Sequence, residues 1–361
     1  MKSLVRSCST LGTVLVKPAY FSGIGLGLCL ILALATPPAG SQRASAAKPA
    51  SDVLAKVTAK ATNQTSSWTK FGPSPSAATL DVKQMVEGMS DSYRLVSYFQ
   101  NMGYRLDTLR EGSSDVPRLY LATLPTDLPQ VESAELRKAV FIKAVLPIIL
   151  RVNEEVLERR ARLESLGRQL AQGRDLAAAD QTWLVEMAAL YDAKTPTVAE
   201  LLRRVDVVPP SLALAQAALE SGWGTSRFAQ KGNALFGQKT FLESAAALPS
   251  YDKQGNEVFR MRSFEDVLAC VRSYVHNLNS HGAYAEFRKQ RTEMRRKSGP
   301  DRHDFGPQAG DTLARTLVSY SERGAAYITD VRHLMQINDL RVFDRARLAN
   351  EQFAGRPRPS A

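Results

Sequence analysis

The chain has 361 residues, 44% of them hydrophobic, and a formal net charge of +11. That is room for two domains, or one with extensions, around a sizeable core. No CxxC, HExxH or histidine cluster is present, which excludes a metal centre, and no cofactor is expected. Basic runs are not interleaved with aromatics and no nucleic-acid motif appears, so the positive balance points to another anionic polymer.

Lys2, Arg6 and Lys17 precede the apolar run Phe21 to Ala35, followed by Thr36-Pro-Pro-Ala-Gly and Ala44-Ser-Ala46. This order of basic, apolar and small-residue regions marks residues 1–46 as a secretory signal peptide. A retained membrane anchor through residues 20–39 is the second reading, because a spanning helix needs about 20 apolar residues. Either way the protein is expected to be exported, periplasmic or attached to the cell envelope. Gly23, Gly25 and Gly27 imitate a dinucleotide fingerprint, but no strand precedes them. Loss of the leader removes Lys2, Arg6, Lys17 and Arg43 and leaves +7, with Cys270 as the remaining thiol. Cys270 falls in a helical pattern with Val267, Val271 and Tyr274 and reads as buried filler.

Residues 47–80 are rich in Ser, Thr, Ala, Lys and Pro and read as a disordered linker. Residues 81–205 read as a helical platform, with an independent binding module as the alternative. Within them Val82 to Arg110 predicts a helix or helix pair, and Leu119 to Pro129 a proline-punctuated extended stretch. Apolar positions at helical spacing run from Ser133 to about Gln172, with Pro147 expected to kink or divide the helix. Ala178 to Ala193 and Thr197 to Val205 predict two more helices.

Residues 206–345 hold the candidate site. Pro209-Pro210-Ser211 is a helix start, followed by an Ala- and Leu-rich run to Glu220 and a stop at Gly222. Ser250 to Arg260, turning at Gln254-Gly-Asn256, predicts a β-hairpin lip beside a cleft. Phe264 to Ser280, Thr312 to Glu322 and Ala326 to Asn338 predict helices, and the charged stretch Arg288 to Gly310 a mobile loop. His276 and His281, five apart, do not share a helix face. Residues 346–361 read as a disordered tail.

Glu220 is the residue with chemistry. It ends an apolar helix, where the negative end of the helix dipole disfavours an ionised carboxylate. Leu219, Trp223 and Phe236 add desolvation of the same sign. Both influences hold the proton on Glu220, as a general acid needs. Trp223 and Phe236 are candidates to stack on sugar rings, and Asn233 and Gln238 to hydrogen-bond an N-acetyl group. Their plainer roles are cleft-floor packing and holding the loop.

The motifs Ala218-Leu-Glu-Ser-Gly-Trp-Gly224 and Asn233-Ala-Leu-Phe-Gly237 resemble the glucosaminidase family that includes the flagellar-type peptidoglycan hydrolase domains. Phe259 to Asp266 is similar to that family's strand leading into a helix. Ser273 to Phe287, Phe141 to Asn153 and Leu313 to Tyr327 are similar to segments of the Bax-like proteins of Gram-negative bacteria. The likeness runs from about residue 90 to 340. It implies a mainly α, lysozyme-like helical catalytic domain with a small β-hairpin lip, preceded by the platform. It also implies an endo-β-N-acetylglucosaminidase-like hydrolysis of β-1,4 bonds in peptidoglycan, with Glu220 as the acid. The family places a second Glu in the first hairpin strand, where this chain has Pro249 or Ser250, leaving Glu243, Asp252 and Glu257 as candidates. Tyr320 is similar to a family tyrosine near the catalytic Glu, with a half-buried core tyrosine as its plainer role. Lytic transglycosylase-type cleavage and a non-catalytic envelope protein that binds glycan are the alternative functions.

Overall fold

The computed structural model describes residues 91–240, 247–298, 305–306 and 308–350. The expected leader and linker, the chain beyond Asn350, and Glu243 lie outside these residues. Among the described residues the architecture is mainly α, with one small antiparallel sheet. None of their helices is long and apolar enough to cross a membrane.

Helices α1 (Ser92–Asn101) and α2 (Leu106–Arg110) lead to α3 (Ala134–Ala171), the 38-residue spine. Ser133 caps α3, its hydroxyl accepting from the Leu136 amide at 3.2 Å. Pro147 lies inside this helix, which, of the kink or division expected there, excludes the division. Val145, Leu146, Ile148 and Ile149 around it are fully buried, and that packing exceeds the ~3 kcal/mol a helical proline costs.

Helices α4 (Ala178–Leu190) and α5 (Val198–Arg204) return the chain to α6 (Pro210–Ser221). Every residue of α6 from Pro210 to Ala218 is buried, as befits a helix that is apolar nearly all round. Its start is capped from a distance. The Ser211 amide and hydroxyl both donate to the Asp344 carboxylate, at 2.8 and 2.9 Å. This puts a negative charge at the positive end of the helix. Helix α7 (Arg227–Gly232) follows, capped by Ser226.

Three strands, β1 (Lys239–Thr240), β2 (Ala247–Tyr251) and β3 (Glu257–Arg262), pair antiparallel in the order β1-β3-β2. The hairpin is therefore β2-β3, and β1 adds an edge strand that pairs Lys239 with Met261. Helix α8 (Val267–Ser280) starts at an Asp266 cap. Burial pushes the Cys270 thiol on α8 up to about 12 and His276 down to about 4, so Cys270 is packing rather than a nucleophile.

The first part of the loop expected over 288–310 is instead helix α9 (Ala285–Ser298), and residues 299–304 and 307 lie outside the described residues. Three of its arginines face inward. Arg291, fully buried, donates to the carbonyls of Arg204, Asp206 and Val207 and to Asn279 Oδ1, at 2.7–3.1 Å. Arg288 donates to the Leu278 and His281 carbonyls at 3.0 and 2.8 Å. Arg295 pairs with the Asp206 carboxylate at 2.6 Å. These guanidiniums satisfy chain ends that no helix hydrogen bond reaches.

The helix expected over 312–322 is also different. Helix α10 (Ala309–Ala314) ends early and Val318–Tyr320 forms a single 3-10 turn. The Thr316 hydroxyl takes the Leu313 carbonyl at 2.7 Å, which competes with continuation of the helix. Helix α11 (Ala325–Ile337) and the 3-10 segment Leu340–Arg345 then pack on α6. One hydrophobic core runs from Leu95 to Leu348.

Asp206 is the charge this core depends on. Burial alone raises its carboxyl, but Arg291, Arg295 and Arg160 together hold it below the ordinary carboxylate range. A folded pKa below the unfolded one gives stability that is complete above the unfolded value and lost as pH falls through the folded one. Asp206→Asn should destabilise by about 3–5 kcal/mol in urea titration, because it leaves buried guanidiniums uncompensated. It should also flatten the acid side of the stability profile. A loss under about 1 kcal/mol would show the arginines to be held by carbonyls alone.

Candidate active site

Glu220 sits in the last turn of α6, half-buried. Gly222 caps the helix in the left-handed region, at φ 59°, and Trp223 follows at φ 60°. The Ser221 hydroxyl ties the turn, donating to the Ala217 carbonyl at 2.6 Å and accepting from the Gly224 amide at 2.8 Å. A Cβ on Gly224 would stand 2.5 Å from Leu124 and 3.0 Å from Phe141. Glycine there lets the turn press against α3.

A second loop closes on the carboxylate from the other side. Asn233 ends α7 at φ 51°, and its amide nitrogen donates to the Phe264 and Glu265 carbonyls, both at 3.2 Å. Phe236 is 2% exposed, its ring stacked on Tyr274 at 3.9 Å between centroids. The next residue is Gly237, at φ 61°. A Cβ on Gly237 would lie 2.5 Å from Glu220 Oε2. The Asn-x-x-Phe-Gly motif therefore brings bare backbone against the carboxylate of Ala-Leu-Glu-Ser-Gly-Trp-Gly.

Tyrosines complete the surroundings. Tyr327 on α11 lies beside Glu220, and its hydroxyl acts to lower the Glu220 pKa. Gln216, one turn before Glu220, donates from Nε2 to the Tyr327 hydroxyl at 3.0 Å. Tyr274 donates to Gln216 Oε1 at 2.8 Å. Tyr320 stacks on Tyr327 at 5.6 Å, and its hydroxyl donates to the Phe236 carbonyl at 3.0 Å. Burial raises the Glu220 pKa, against smaller opposing effects from the Tyr327 hydroxyl, Arg323 and Lys239. The result is a carboxyl that keeps its proton above the ordinary range.

The expected site residues separate into two groups. Glu220, Phe236 and Tyr320 come together. Phe236 does so as a buried ring whose face is taken by Tyr274, so it is not open to a sugar as the sequence suggested. Trp223 turns to α3, edge to face with Phe141 at 5.6 Å and with the Lys138 ammonium over its ring. Asn233 holds the loop. Gln238 Oε1 is buried with no hydrogen-bond partner.

The hairpin carboxylates are occupied elsewhere. Asp252 closes the turn, accepting from the Gln254 and Asn256 amides at 2.9 and 2.8 Å. Exposed Glu257 pairs with Arg260 at 2.7 Å. Sequence reasoning missed Tyr327, Gln216 and Gly237. Gln216 carried a signal, being the one polar residue in the apolar run from Leu212 to Leu219.

Gly237→Ala should displace the Glu220 carboxylate and cost on the order of a hundredfold in kcat on cell-wall glycan. The fold should survive, at about 1–2 kcal/mol of left-handed backbone strain. Turnover with circular dichroism checks this. Undiminished turnover would mean that the contact does not position Glu220.

The glucosaminidase family profile, described as mannosyl-glycoprotein endo-beta-N-acetylglucosaminidase, matches residues 195–338. Protein bax of Escherichia coli (strain K12) is 32% identical over 212 residues, covering 57% of this chain and 71% of that relative. No solved structure matches. The matched span holds Glu220, both loops that close on it and the tyrosines around it, and the chain belongs to the glucosaminidase family as a Bax-like member.

Proposed function

We propose that the protein is an exported glycoside hydrolase that cleaves β-1,4 bonds at N-acetylglucosamine in peptidoglycan, with Glu220 as general acid. The observation that carries this reading is a half-buried carboxyl with a raised pKa, enclosed by two loops at the end of a buried helix. Protonated Glu220 donates to the glycosidic oxygen as the bond to the anomeric carbon breaks. Gly237 backbone, Tyr327 and the Tyr320–Phe236 contact hold it in place. The basic-apolar-small order of residues 1–46 supports export, and the positive charge supports an anionic wall polymer.

The nucleophile is assigned to the substrate's own 2-acetamido oxygen, which attacks the anomeric carbon as the glycosidic bond breaks. Water, giving its proton to the now ionised Glu220, then opens the resulting oxazolinium without a second carboxylate. Asp252 and Glu257 are each engaged in the hairpin. We assign the contact to the acetamido N–H to Gln238, whose acceptor oxygen lacks a partner among the described residues. That contact requires a rotation of the Gln238 side chain toward the cleft. The same single acid also serves lytic cleavage, in which an internal hydroxyl replaces water. Product mass separates the two readings, since only hydrolysis adds water.

Glu220→Gln should keep the fold and lose about a hundredfold or more of cleavage in a cell-wall zymogram. In the wild type, kcat/KM should fall as pH rises through the Glu220 pKa, above the ordinary carboxylate range. The acid works only while protonated, and that limb should vanish in the variant. Full activity of Glu220→Gln would end the assignment.

Tyr320→Phe should lower kcat by about three- to tenfold through loss of one loop hydrogen bond. Asp252→Asn and Glu257→Gln should stay within about twofold, as exposed pairs contribute little, and Glu243→Gln is the fourth variant of the set. A carboxamide variant as inactive as Glu220→Gln would restore a two-carboxylate mechanism.

A further inference from the structure

The hydroxyls and amide beneath Glu220 form a chain with one permitted direction. It runs from Tyr274 on α8 through Gln216 on α6 to Tyr327 on α11, with steps of 2.8 and 3.0 Å, and then to Glu220. An ionised carboxylate only accepts hydrogen bonds. Tyr327 must therefore donate its single proton to Glu220 and accept from its other neighbour. That neighbour has to present N–H, so the Gln216 amide turns its nitrogen to Tyr327 and its oxygen to Tyr274. Tyr274 meets that oxygen with its own proton. The donors and acceptors from Tyr274 through Gln216 to Tyr327 follow this order.

We propose that Gln216 and Tyr274 are positioning residues that fix the Tyr327 proton toward Glu220 and so leave the acidic proton of Glu220 facing the cleft. This rests on Glu220 being the general acid. With the chain reversed, a protonated Glu220 would donate inward to Tyr327, Tyr327 to Gln216 Oε1, and Gln216 Nε2 to Tyr274. Its proton would then be directed away from substrate. Gln216 is fully buried and Tyr274 is stacked on Phe236. In the reversed chain the buried Tyr274 hydroxyl would lose Gln216 Oε1 as the acceptor for its proton.

The other groups facing Glu220 come from different elements: Lys239 from β1, Arg323 from the turn before α11, and Tyr320 from the 3-10 turn Val318–Tyr320. Lys239 pairs with Glu322 at 3.2 Å and Arg323 with Asp330. Neither cation touches the chain. Tyr274 also packs on Phe236 and edge-on to Tyr320 at 6.4 Å, ring contacts that Tyr274→Phe leaves in place. Tyr274→Phe keeps the ring on Phe236 and removes one hydroxyl three links from the carboxylate, which makes it the informative variant.

The test reads Glu220 directly. Carbon-13 NMR titration of glutamate-labelled protein, with the Glu220 resonance assigned by its loss in Glu220→Gln, gives its ionisation. The expected result is an upward shift of the Glu220 midpoint in Tyr274→Phe and in Tyr327→Phe, because a hydrogen bond to the ionised form is weakened or lost. On peptidoglycan, Tyr274→Phe should lower kcat by about three- to tenfold with KM little changed. Gln216→Met is a supporting variant, expected to shift the midpoint the same way. Should Gln216→Met fail to fold, Tyr274→Phe still decides. If the midpoints shift but the wild type cleaves no glycan, the directed chain stands and the hydrolase reading falls. An unmoved Glu220 midpoint in Tyr274→Phe would overturn the proposal even if the variant were less active.

Discussion

The burial of α6 along nearly its whole length is the constraint from which the site follows. A helix with no wet face cannot carry a charge at its middle, so its one ionisable group stands where it emerges. Its far end is held by the Asp344 carboxylate on Ser211. Its near end is turned by two residues with positive φ, Gly222 and Trp223, and leaves Glu220 at the boundary between core and cleft. Desolvation and partial exposure then meet at one residue. That combination is what a proton donor needs and what a surface glutamate lacks.

The polar interior follows the same logic at a second place. Where α5 ends and the chain turns toward α6, backbone carbonyls of Arg204, Asp206 and Val207 face inward without helix partners. Arg291 fills that space and binds all three, while Arg295 and Arg160 neutralise the Asp206 side chain. A guanidinium suits this role because five donors in a plane can serve several carbonyls at once. Helix α9 is thus a cationic element built into the core, and it keeps the approach to α6 rigid.

Around Glu220 the supporting groups are neutral hydroxyls and an amide rather than a second acid. Tyr320 holds the Phe236 carbonyl, Tyr327 holds the carboxylate, and Gln216 and Tyr274 hold Tyr327. Such groups can brace a carboxylate in either protonation state without imposing a charge of their own. The cations Lys239 and Arg323 are near enough to oppose the raised pKa but not to reverse it. The hairpin contributes an edge beside this arrangement, with its two described acids held by its own turn and by Arg260.

The sequence by itself determined the elements whose signals are local. The run from Leu212 to Glu220 and its glycine stop, the turn at Gln254-Gly-Asn256 and the spacing of α3 are all written in adjacent residues. The two loop motifs identified Glu220 and the family. Signals that depend on distant partners were not legible. The arginines of α9 read as a solvated loop because charge is ordinarily exposed, and only the carbonyls of α5 and α8 make their burial favourable. Pro147 read as a kink or a division, and its place inside one continuous helix depends on packing that comes from other elements. Phe236 read as a sugar platform because nothing adjacent in sequence tells that Tyr274 covers its ring. Tyr327, Gln216 and Tyr274 are spread over more than a hundred residues, and a hydrogen-bond chain exists only once tertiary packing brings its donors and acceptors within about 3 Å.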